Sequence, residues 1–471
     1  MGKDLTVDDN ACMMIRTCCF LLLVTVAPAE TVTVKPNRYY ETFAAHEPVA
    51  RIRPGDTVVT KLLDSRGRDE TGKLILDGDN VLTGPFYIEG AEPGDTLVIK
   101  LDRVRLNRDW GWNGVRISTD ALAPGRIEGL ESPICCEEWL QPGRRNALKW
   151  LLEPATGKMR PSQPLGNKVK LEFQAHPSVG CVGVAPPLKQ AISSGPMGRH
   201  GGNLDYNRMD EGAVVYLPVF EPGAYFLLGD AHAGFGDGEL IGQGTETSMD
   251  VQFTVGLRKG RSISWPRVEH ADSIVTLGAT PGALERGFRE AISEMVAWLQ
   301  SDYGLSQREA HTLVHMTAQL RVASWFGTSA CEIPKKHLPG AQGDDTIRQQ
   351  IAKYTAALDA ADTELAAQVW RSSPDITFIH PAGHAHGWEE VKGFYKYFSD
   401  TFSERKLTMR NLSVHVHGDT AWVEFYWHFT AKQRKDGATI QTDGRETQIY
   451  EKTGSRWELV HVHYSSPAVT P

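Results

Sequence analysis

Short runs in which apolar and polar residues alternate dominate the chain from residue 31 to about residue 260. Typical runs lie at residues 57–60, 96–101 and 213–217, and Pro-Gly turn sequences separate them, as at residues 53–56 and 92–95. Alternation with a period of two is the pattern of a half-buried strand, and Pro-Gly pairs mark tight turns. The pattern therefore predicts a mainly β N-terminal body, built as a β-sandwich or barrel with a few helices.

The apolar period changes to that of a helix between residues 281 and 325. Apolar residues recur at helical spacing over residues 284–299 and 306–322. Ser306, with Glu309 three residues later, forms a capping-box sequence at the start of the second segment. We expect two helices that pack against the β body.

A polar, glycine-containing stretch at residues 335–345 predicts a linker between two domains. Beyond it, residues 346–361 have helical spacing, and apolar-alternating runs follow. The predicted strands are residues 412–417, 421–430, 447–452 and 457–464, with hairpin connections at residues 418–419 and 453–455. Helices followed by an antiparallel sheet predict a C-terminal α+β domain over residues 346–471, after an N-terminal domain over residues 30–334.

An apolar run near the N-terminus indicates a secretion signal. Residues 18–26 are apolar, a basic residue precedes them, and alanines follow at the expected cleavage region. The run is too short to span a bilayer as a helix. We expect residues 1–29 to be a signal peptide, with a start at Met13 or Met14, and a mature chain that is secreted or periplasmic without a membrane span. The alternative is a disordered tail that buries one apolar turn.

The charge and the cysteine content of the chain limit which kinds of protein it can be. The 471 residues carry a formal net charge of −8 without long runs of like charge, which argues against a nucleic acid as partner. Seven cysteines are too few for a disulfide framework in this length. Cys135, Cys136, Cys181 and Cys331 lie beyond the leader and are expected to be buried, with room for one disulfide. Cys181 could be a thiol nucleophile, but a buried core cysteine is the favoured interpretation because no base is adjacent.

Acidic residues and one histidine concentrate among glycines between residues 200 and 250. The residues are Asp205, Asp230, His232, Asp237, Glu239 and Glu246. Carboxylates beside an imidazole are ligands for divalent metals, and the flanking glycines allow sharp turns that point successive side chains at one centre. A single Asp-Gly pair is more simply a solvated β-turn. For the whole set we favour a functional site.

The same region resembles the signature of the acetamidase/formamidase family. The blocks are Gly-Gly-Asn-Leu-Asp at residues 201–205, Leu-Pro-Val at 217–219, Gly-Asp-Ala-His-Ala at 229–233, Gly-Asp-Gly-Glu at 236–239, and Glu246. Further matches lie upstream at residues 81–95 and 176–186, so the resemblance covers residues 32–325 with the motif order intact. One departure is Phe235, where the family usually has Gln, and this puts substrate specificity, and even activity, in question.

The resemblance implies hydrolysis of a small carboxamide of the formamide or acetamide type to ammonia and a carboxylate. It also implies a divalent metal, Zn²⁺ in preference to Ca²⁺, that polarises the carbonyl and activates water. The expected metal ligands are Asp205, Asp230, His232 and Glu246. The expected roles around them are Glu239 as general base, Asp237 as a group that orients it, His176 as a hydrogen-bond partner of the substrate or intermediate, and Asn203 and Phe235 at the substrate.

Other functions remain open at the level of the sequence. The same fold could act on a larger amide, given Phe235, or the protein could bind a metal or ligand without catalysis. The sequence has no Gly-x-Ser-x-Gly motif, which argues against an α/β-hydrolase. Ser193-Ser194-Gly195 is interpreted as a loop rather than as a nucleophile, because no partnered lysine motif accompanies it.

The C-terminal part resembles SnoaL-like, ketosteroid-isomerase-like domains. The residues that carry the resemblance are 375–381, 445–448 and 461–465. It implies a curved sheet that forms a cone around helices, and a homo-oligomer, because such domains commonly dimerise. Function varies widely on this fold, so the expected role is dimerisation or capture of a small apolar ligand, and isomerase activity is not expected.

Strand periodicity in this domain predicts two sets of side chains that share a face. The first set is Trp422, Glu424, Tyr426 and His428, and the second is Trp457, Leu459, His461 and His463. His380, His384 and His386 add to a high histidine density. Hydrogen-bonded histidines that line a wet cone are favoured over a second metal site.

Overall fold

The structure, a computed structural model, describes residues 29–126, 147–165, 168–339, 341–380, 383–454 and 456–465. The predicted signal segment, Cys135 and Cys136 lie outside the described residues. The described part is mainly β in its N-terminal region and α+β in its C-terminal region, which confirms the predicted fold class. No α-helix among the described residues is both long and apolar enough to span a bilayer.

The N-terminal domain is built from short strands. In chain order they are β1 (Thr31–Thr33), β2 (Tyr39–Tyr40), β3 (Thr42–Phe43), β4 (Ala50–Ile52), β5 (Thr57–Leu62), β6 (Leu82–Ile88), β7 (Thr96–Leu106), β8 (Trp110–Gly114), β9 (Ala147–Glu153), β10 (Lys158–Pro161), β11 (Phe173–Gln174), β12 (Ser178–Gly183), β13 (Ile192–Ser193), β14 (Met197–Gly198), β15 (Gly201–Asn203), β16 (Val214–Pro218), β17 (Phe226–His232), β18 (Met249–Arg258), β19 (Arg267–Glu269), β20 (Ser273–Ala279), β21 (Gln319–Ser324) and β22 (Thr328–Pro334).

A nine-stranded sheet has the order β1-β5-β18-β7-β16-β19-β20-β22-β21. β18 alternates buried and half-buried residues, as expected for a strand with one face on the core. Pro-Gly-Asp turns precede β5 and β7, which flank β18. In these turns Gly55 and Gly94 have φ of +102° and +93°, and the side chains of Asp56 and Asp95 accept a backbone N–H three residues earlier. The two turns are therefore built in the same way.

A seven-stranded sheet carries the residues that the sequence marks for chemistry. Its order is β14-β15-β12-β17-β6-β2, with β4 also paired to β6. β12 and β17 are buried along their whole length. Rings from the two sheets meet in the main core, where Phe253 of the nine-stranded sheet lies 5.2 Å from Phe86 and 5.3 Å from Phe226. Packing on both sides fixes the position of β12 and β17.

A separate four-stranded sheet, of order β11-β10-β9-β8, lies beside this body. Its apolar residues form a small cluster of their own, made by Trp150, Leu152 and Met159 together with Ala175 and Ala233. Ala233 follows directly on β17, so this cluster attaches the four-stranded sheet to the end of the strand that carries Asp230 and His232.

Two helices cover the far end of the nine-stranded sheet: α1 (Leu284–Tyr303) and α2 (Gln307–Thr317). The predicted capping box is confirmed, because Ser306 caps α2 and Glu309 hydrogen bonds back to Ser306. The prediction that this helix reaches residue 322 is wrong. Residues 319–324 form β21 because they pair with β22, and this tertiary pairing outweighs the local helical spacing.

The C-terminal domain combines helices with one sheet. Its elements are α3 (Ala341–Ala360), α4 (Thr363–Ala367), β23 (Thr377–His380), β24 (Gly383–His386), α5 (Gly387–Thr401), β25 (Phe402–His417), β26 (Thr420–Gln433), β27 (Thr439–Thr453) and β28 (Arg456–Ser465). The sheet order is β24-β23-β28-β27-β26-β25, and the helices pack with it around a separate apolar core. All four strands predicted here are present, and α3 begins inside the stretch predicted as a linker.

The prediction of side chains that share a face is confirmed for β26 and is wrong for β28. On β26 the alternate residues from Trp422 to His428 share the more exposed face. On β28 the prediction that Leu459 and His461 share a face fails, because the pairing with β27 shifts register next to Val460. Beyond this irregularity Val462, rather than His461, is buried in the core.

A buried acidic group lies inside the C-terminal domain. Glu446 on β27 is 1% exposed, and its Oε1 accepts a 2.7 Å hydrogen bond from Gln448. Burial raises the pKa of Glu446 to about 8, against weaker lowering by hydrogen bonds that include Tyr354 and Tyr464. The hydroxyls of these two tyrosines are 2.7 Å apart. The sequence pattern did not reveal this group, because a carboxylate on a strand is normally solvated.

Candidate metal and amide site

Elements of the seven-stranded sheet and the segment that leads into β18 bring the candidate residues together. Asp205 follows β15, Asp230 and His232 lie on β17, and Glu246 lies just before β18. The backbone of Glu246 is held between two segments, because it exchanges hydrogen bonds with Trp112 and forms a bridge with His232. All four side chains are buried. Four residues that the sequence predicted as ligands are therefore drawn into one place.

Ligand atoms of these residues and of Glu239 fall into two groups that share His232. Asp205, Asp230 and His232 form one group, and His232, Glu239 and Glu246 form the other, with the candidate ligand atoms in each within 4.8 Å of one another. His232 Nε2 lies 3.2 Å from Glu246 Oε1, 3.4 Å from Asp230 Oδ1 and 3.8 Å from Glu239 Oε1. The imidazole is thus the centre of a ring of carboxylates.

A glycine on β12 leaves the space in which the first group meets. A Cβ at Gly180 would lie 2.6 Å from Asp230 Oδ2, 2.7 Å from Asp205 Oδ1 and 2.7 Å from His232 Cε1. Real Cβ atoms do not approach other atoms so closely. Gly180 was not identified from the sequence, because glycine is common and nothing local distinguishes this one.

Three of the carboxylate residues have a left-handed backbone. The φ angles are +43° at Asp205, +57° at Asp230 and +45° at Glu239. Such conformations are unfavourable for residues with a side chain and concentrate at functional sites. Glycine would adopt the same backbone conformation with less strain. The presence of acidic residues at these three positions therefore indicates that their side chains are needed there.

The electrostatics of the group favour a bound cation. Burial, and then repulsion from Asp230, raises the pKa of Asp205 to about 7, and burial raises the pKa of Glu246 to about 8. Burial also raises the pKa of Glu239. Desolvation opposes charge on His232, but Glu246 and Asp230 outweigh it and raise the imidazole pKa. Four carboxylates are therefore gathered around the single imidazole of His232.

Several atoms of the cluster have no hydrogen-bond partner among the described residues although they are buried. They are Asp205 Oδ1, His232 Nδ1 and Nε2, and Glu246 Oε2. Unsatisfied buried polar atoms are costly, and carboxylate oxygens with an imidazole nitrogen are a suitable ligand set for a divalent metal. The residues present therefore fit such an ion.

Asn203 lies against the cluster, as predicted. Its Nδ2 donates a 2.6 Å hydrogen bond to Asp205 Oδ2, and its Oδ1 accepts from Asn80 at 3.0 Å and from the Cys181 thiol at 2.9 Å. Burial raises the pKa of this thiol well above its usual value. Cys181 and Cys331 are both buried free thiols, in keeping with the favoured interpretation of a buried cysteine at residue 181.

A small polar cavity of about 180 Å³ opens onto the cluster. Residues of the cluster in its wall are Asp230, Glu239 and Glu246, with Asn203 beside them. No local pattern in the sequence marks the rest of the wall, which consists of Ser65, Arg66, Asp79, Asn80, Trp112, Gly242 and Gln243. They come from segments without a metal-binding pattern, and only the fold brings them to the cluster.

The remaining candidates lie to one side of the cluster. Asp237 accepts hydrogen bonds from Arg321 at 2.9 and 3.0 Å and from Asn207 at 3.0 Å, so its described partners are outside the cluster. His176 is 3.3 Å from Asp210 and its side chain is 60% exposed. Phe235 contacts the His232 ring edge-on at 5.0 Å. Asp237, His176 and Phe235 all line a second, larger cavity.

Curated relatives of this chain include proteins named for formamidase. The chain is 25% identical over 254 residues to the formamidase of Methylophilus methylotrophus, covering 45% of this chain and 61% of the relative. A Schizosaccharomyces pombe protein named for formamidase is 27% identical over 235 residues, covering 40% and 56%. The chain thus spans little more than half the length of these curated relatives.

Solved structures show the same fold. The acetamidase from Yersinia enterocolitica has a TM-score of 0.54 at 25% identity, covering 66% of this chain and 93% of its own. The acetamidase from Bacillus halodurans has a TM-score of 0.54 at 26% identity, covering 65% and 98%. Both matches cover about two thirds of this chain.

Sequence models of two families match the chain and confirm both resemblances. The SnoaL-like domain matches residues 347–469. The Acetamidase/Formamidase family matches residues 25–122 and 184–325, and it leaves residues 123–183, with His176, unmatched. With just over half of its residues matched, the chain belongs to the Acetamidase/Formamidase family and carries a SnoaL-like domain at its C-terminal end.

Proposed function

We propose that the N-terminal domain hydrolyses a linear carboxamide to ammonia and a carboxylate. The observation that carries this proposal is the buried ring of four carboxylates around His232, open to a small polar cavity. Relatives named formamidase and acetamidase support the reaction class. The cavity of about 180 Å³ has room for an amide group and a water beside the carboxylates.

We propose Zn²⁺ as the resident ion, held by Asp205, Asp230 and His232, with Glu246 close to the same imidazole nitrogen as Asp230. A mixed set of carboxylate and imidazole ligands suits zinc, while a set of oxygen ligands alone would favour Ca²⁺. When bound, such an ion polarises an amide carbonyl and lowers the pKa of water. Gly180 leaves the space where the three ligand atoms meet.

Glu239 is the proposed proton-transfer group. Its carboxylate is 5% exposed, lines the polar cavity and lies 3.8 Å from His232 Nε2. Burial raises its pKa, which favours the protonated form that gives a proton to the leaving nitrogen once the proton has been taken from water. Asn203, held by Asn80 and Asp205, is placed to orient the amide.

The test is ammonia release from formamide and acetamide, with metal content measured on the same samples. Asp205→Asn keeps the shape of the side chain but removes its charge, so we expect loss of bound metal and at least a 10³-fold fall in kcat/KM, roughly the effect of losing a catalytic electrostatic group. Asp109→Asn, at an exposed aspartate, is the matched control and should behave as the unaltered protein.

Two outcomes would contradict the proposal. Bound metal without ammonia release from any amide would indicate a metal-binding protein without this activity. Activity that survives both chelation and Asp205→Asn would remove the metal from the reaction.

For the C-terminal domain we propose a role in homo-oligomerisation. The resemblance to SnoaL-like domains supports it, and the face of β26 that carries Trp422 and Tyr426 is partly exposed. Light scattering of the full chain during size-exclusion chromatography tests this. A mass of one chain at all working concentrations would contradict it.

A further inference from the structure

A second cavity of about 560 Å³ lies next to the polar one and has a different character. Its wall includes the large apolar side chains of Ile117, Trp150, Met159, Phe173 and Phe235. The polar cavity has about a third of that volume and is lined mainly by carboxylates, amides and an arginine. A volume of several hundred Å³ with apolar walls is the usual character of a site for an organic ligand of ten or more heavy atoms.

The two cavities share part of their walls. Glu239 and Gln243 line both of them. Glu239 is the proposed proton-transfer group, so the apolar cavity meets the polar one at the place where the reaction is proposed. An acyl group that extended from the carboxylate cluster past Glu239 would reach apolar side chains.

The apolar wall comes largely from the four-stranded sheet. Trp150 lies on β9, Met159 on β10 and Phe173 on β11. These strands belong to residues 123–183, the stretch that the family sequence model leaves unmatched. The metal ligands lie in the matched stretches, so the wall and the reaction centre are separable parts of the chain.

The rim of this cavity exposes apolar side chains to solvent. Phe173 is 51% exposed, and Ile117 and Leu240 are each 39% exposed. Exposed large apolar groups gathered at the mouth of one cavity mark a surface that an apolar ligand can cover. Burial of such a ligand would remove both its own apolar surface and that of the rim from water.

We propose that the preferred substrate is a primary carboxamide with a bulky apolar acyl group, such as an arylacetamide, bound with its amide in the polar cavity and its acyl group in the apolar cavity. This assignment rests on the proposed amide hydrolysis. The reaction balances with water alone: a C–O bond forms, the C–N bond breaks, and protons from water pass through Glu239 to the nitrogen, giving a carboxylate and an ammonium ion.

The experiment compares phenylacetamide with acetamide. Ammonia release by the metal-loaded full chain should give a kcat/KM for phenylacetamide at least about 100-fold above that for acetamide, since apolar discrimination of this order comes from filling a pocket. Phe173→Ala should lower the ratio of the two values about 10-fold. Leu188→Ala, which removes a more exposed apolar side chain that does not line the cavity, should leave the ratio unchanged.

Binding measured apart from turnover separates this inference from the proposed function. Calorimetry on chelator-treated protein should show phenylacetamide bound, with the dissociation constant raised about 10-fold in Phe173→Ala. Ammonia from acetamide with no preference for phenylacetamide would overturn the substrate class alone. Binding of phenylacetamide with no ammonia from any amide would overturn the hydrolysis and with it the assignment of a substrate.

Discussion

At the scale of single residues, backbone strain and function coincide. Asp205, Asp230 and Glu239 each have a positive φ, and such residues cost on the order of 1–3 kcal/mol apiece unless the surrounding structure holds them. Buried β17 carries Asp230, and the backbone N–H of Asp205 donates to the Gly180 carbonyl of buried β12. The site is thus strained by its backbone and by its like charges, and a bound cation would relieve only the second.

Gly180→Ala is a small change that tests whether the ligand atoms of Asp205, Asp230 and His232 meet beside residue 180. The added methyl carbon would lie 2.6–2.7 Å from atoms of Asp230, Asp205 and His232, so these side chains must move apart. We expect metal affinity to fall about 10- to 100-fold, on the order of the loss seen when the groups that orient metal ligands are changed. Metal titration monitored by calorimetry measures it.

Gly393→Ala is the matched control, because nothing lies within 4 Å of a Cβ at that position and it lies within α5. It should leave metal binding unchanged and stabilise the helix slightly. Unchanged metal affinity in Gly180→Ala would show that the ligand atoms meet elsewhere.

The sequence predicts residues of the site only where a local pattern marks them. Asp205, Asp230 and His232 stand in short glycine-rich blocks, and the fold brings them together as expected. Asn80 and Trp112 complete the same site from distant segments, and no local pattern marks either residue. Long-range strand pairing decides such positions, and a single sequence does not record it.

At the scale of elements, the local sequence pattern predicted which strands and helices form better than it predicted where each one ends. The capping box places the start of α2 correctly, because Ser306 and Glu309 act within one turn. The end of α2 depends on the pairing of β21 with β22, and the face of β28 depends on an irregular register next to Val460. Both are tertiary features that outweigh the local pattern.

Glu446 gives the C-terminal elements a dependence on pH. Its pKa of about 8 in the folded protein exceeds the ordinary value of 4.5. Below pH 4.5 both states hold the proton, so the group makes no difference to stability. As pH rises from 4.5 to 8, the unfolded chain releases the proton and the folded chain keeps it, so the free energy of unfolding falls by at most about 5 kcal/mol.

Glu446→Gln removes this dependence while keeping the acceptor for Gln448. We expect the variant to be more stable than the unaltered protein at pH 8 and similar to it at pH 4.5. Calorimetric unfolding of the full chain at the two pH values measures the difference. A stability difference that is the same at both pH values would contradict the assignment of the titration to Glu446.

At the scale of the whole molecule, the apolar residues form separate cores. The main cluster lies between the two large sheets of the N-terminal domain, and another fills the C-terminal domain from Ile347 to Val462. Units with separate cores can unfold separately.

We therefore expect two transitions in thermal unfolding, of which only one responds to metal. A ligand stabilises the unit that binds it, by about 2.7 kcal/mol at a concentration 100 times its dissociation constant. Zinc should raise the transition of the N-terminal domain, whereas Glu446→Gln should move only the other one. Scanning calorimetry with and without chelator checks this, and a single transition that shifts as a whole under both changes would contradict it.

The position of the four-stranded sheet has a consequence for how members of this family can diverge in substrate preference. Trp150, Met159 and Phe173 shape the apolar cavity from strands that carry none of the four predicted metal ligands. Mutations there can alter the cavity without moving a ligand atom, so selection for new substrates and selection for a working metal centre act on different segments. A library confined to residues 147–174 would explore acyl-group preference while inheriting an unchanged reaction centre.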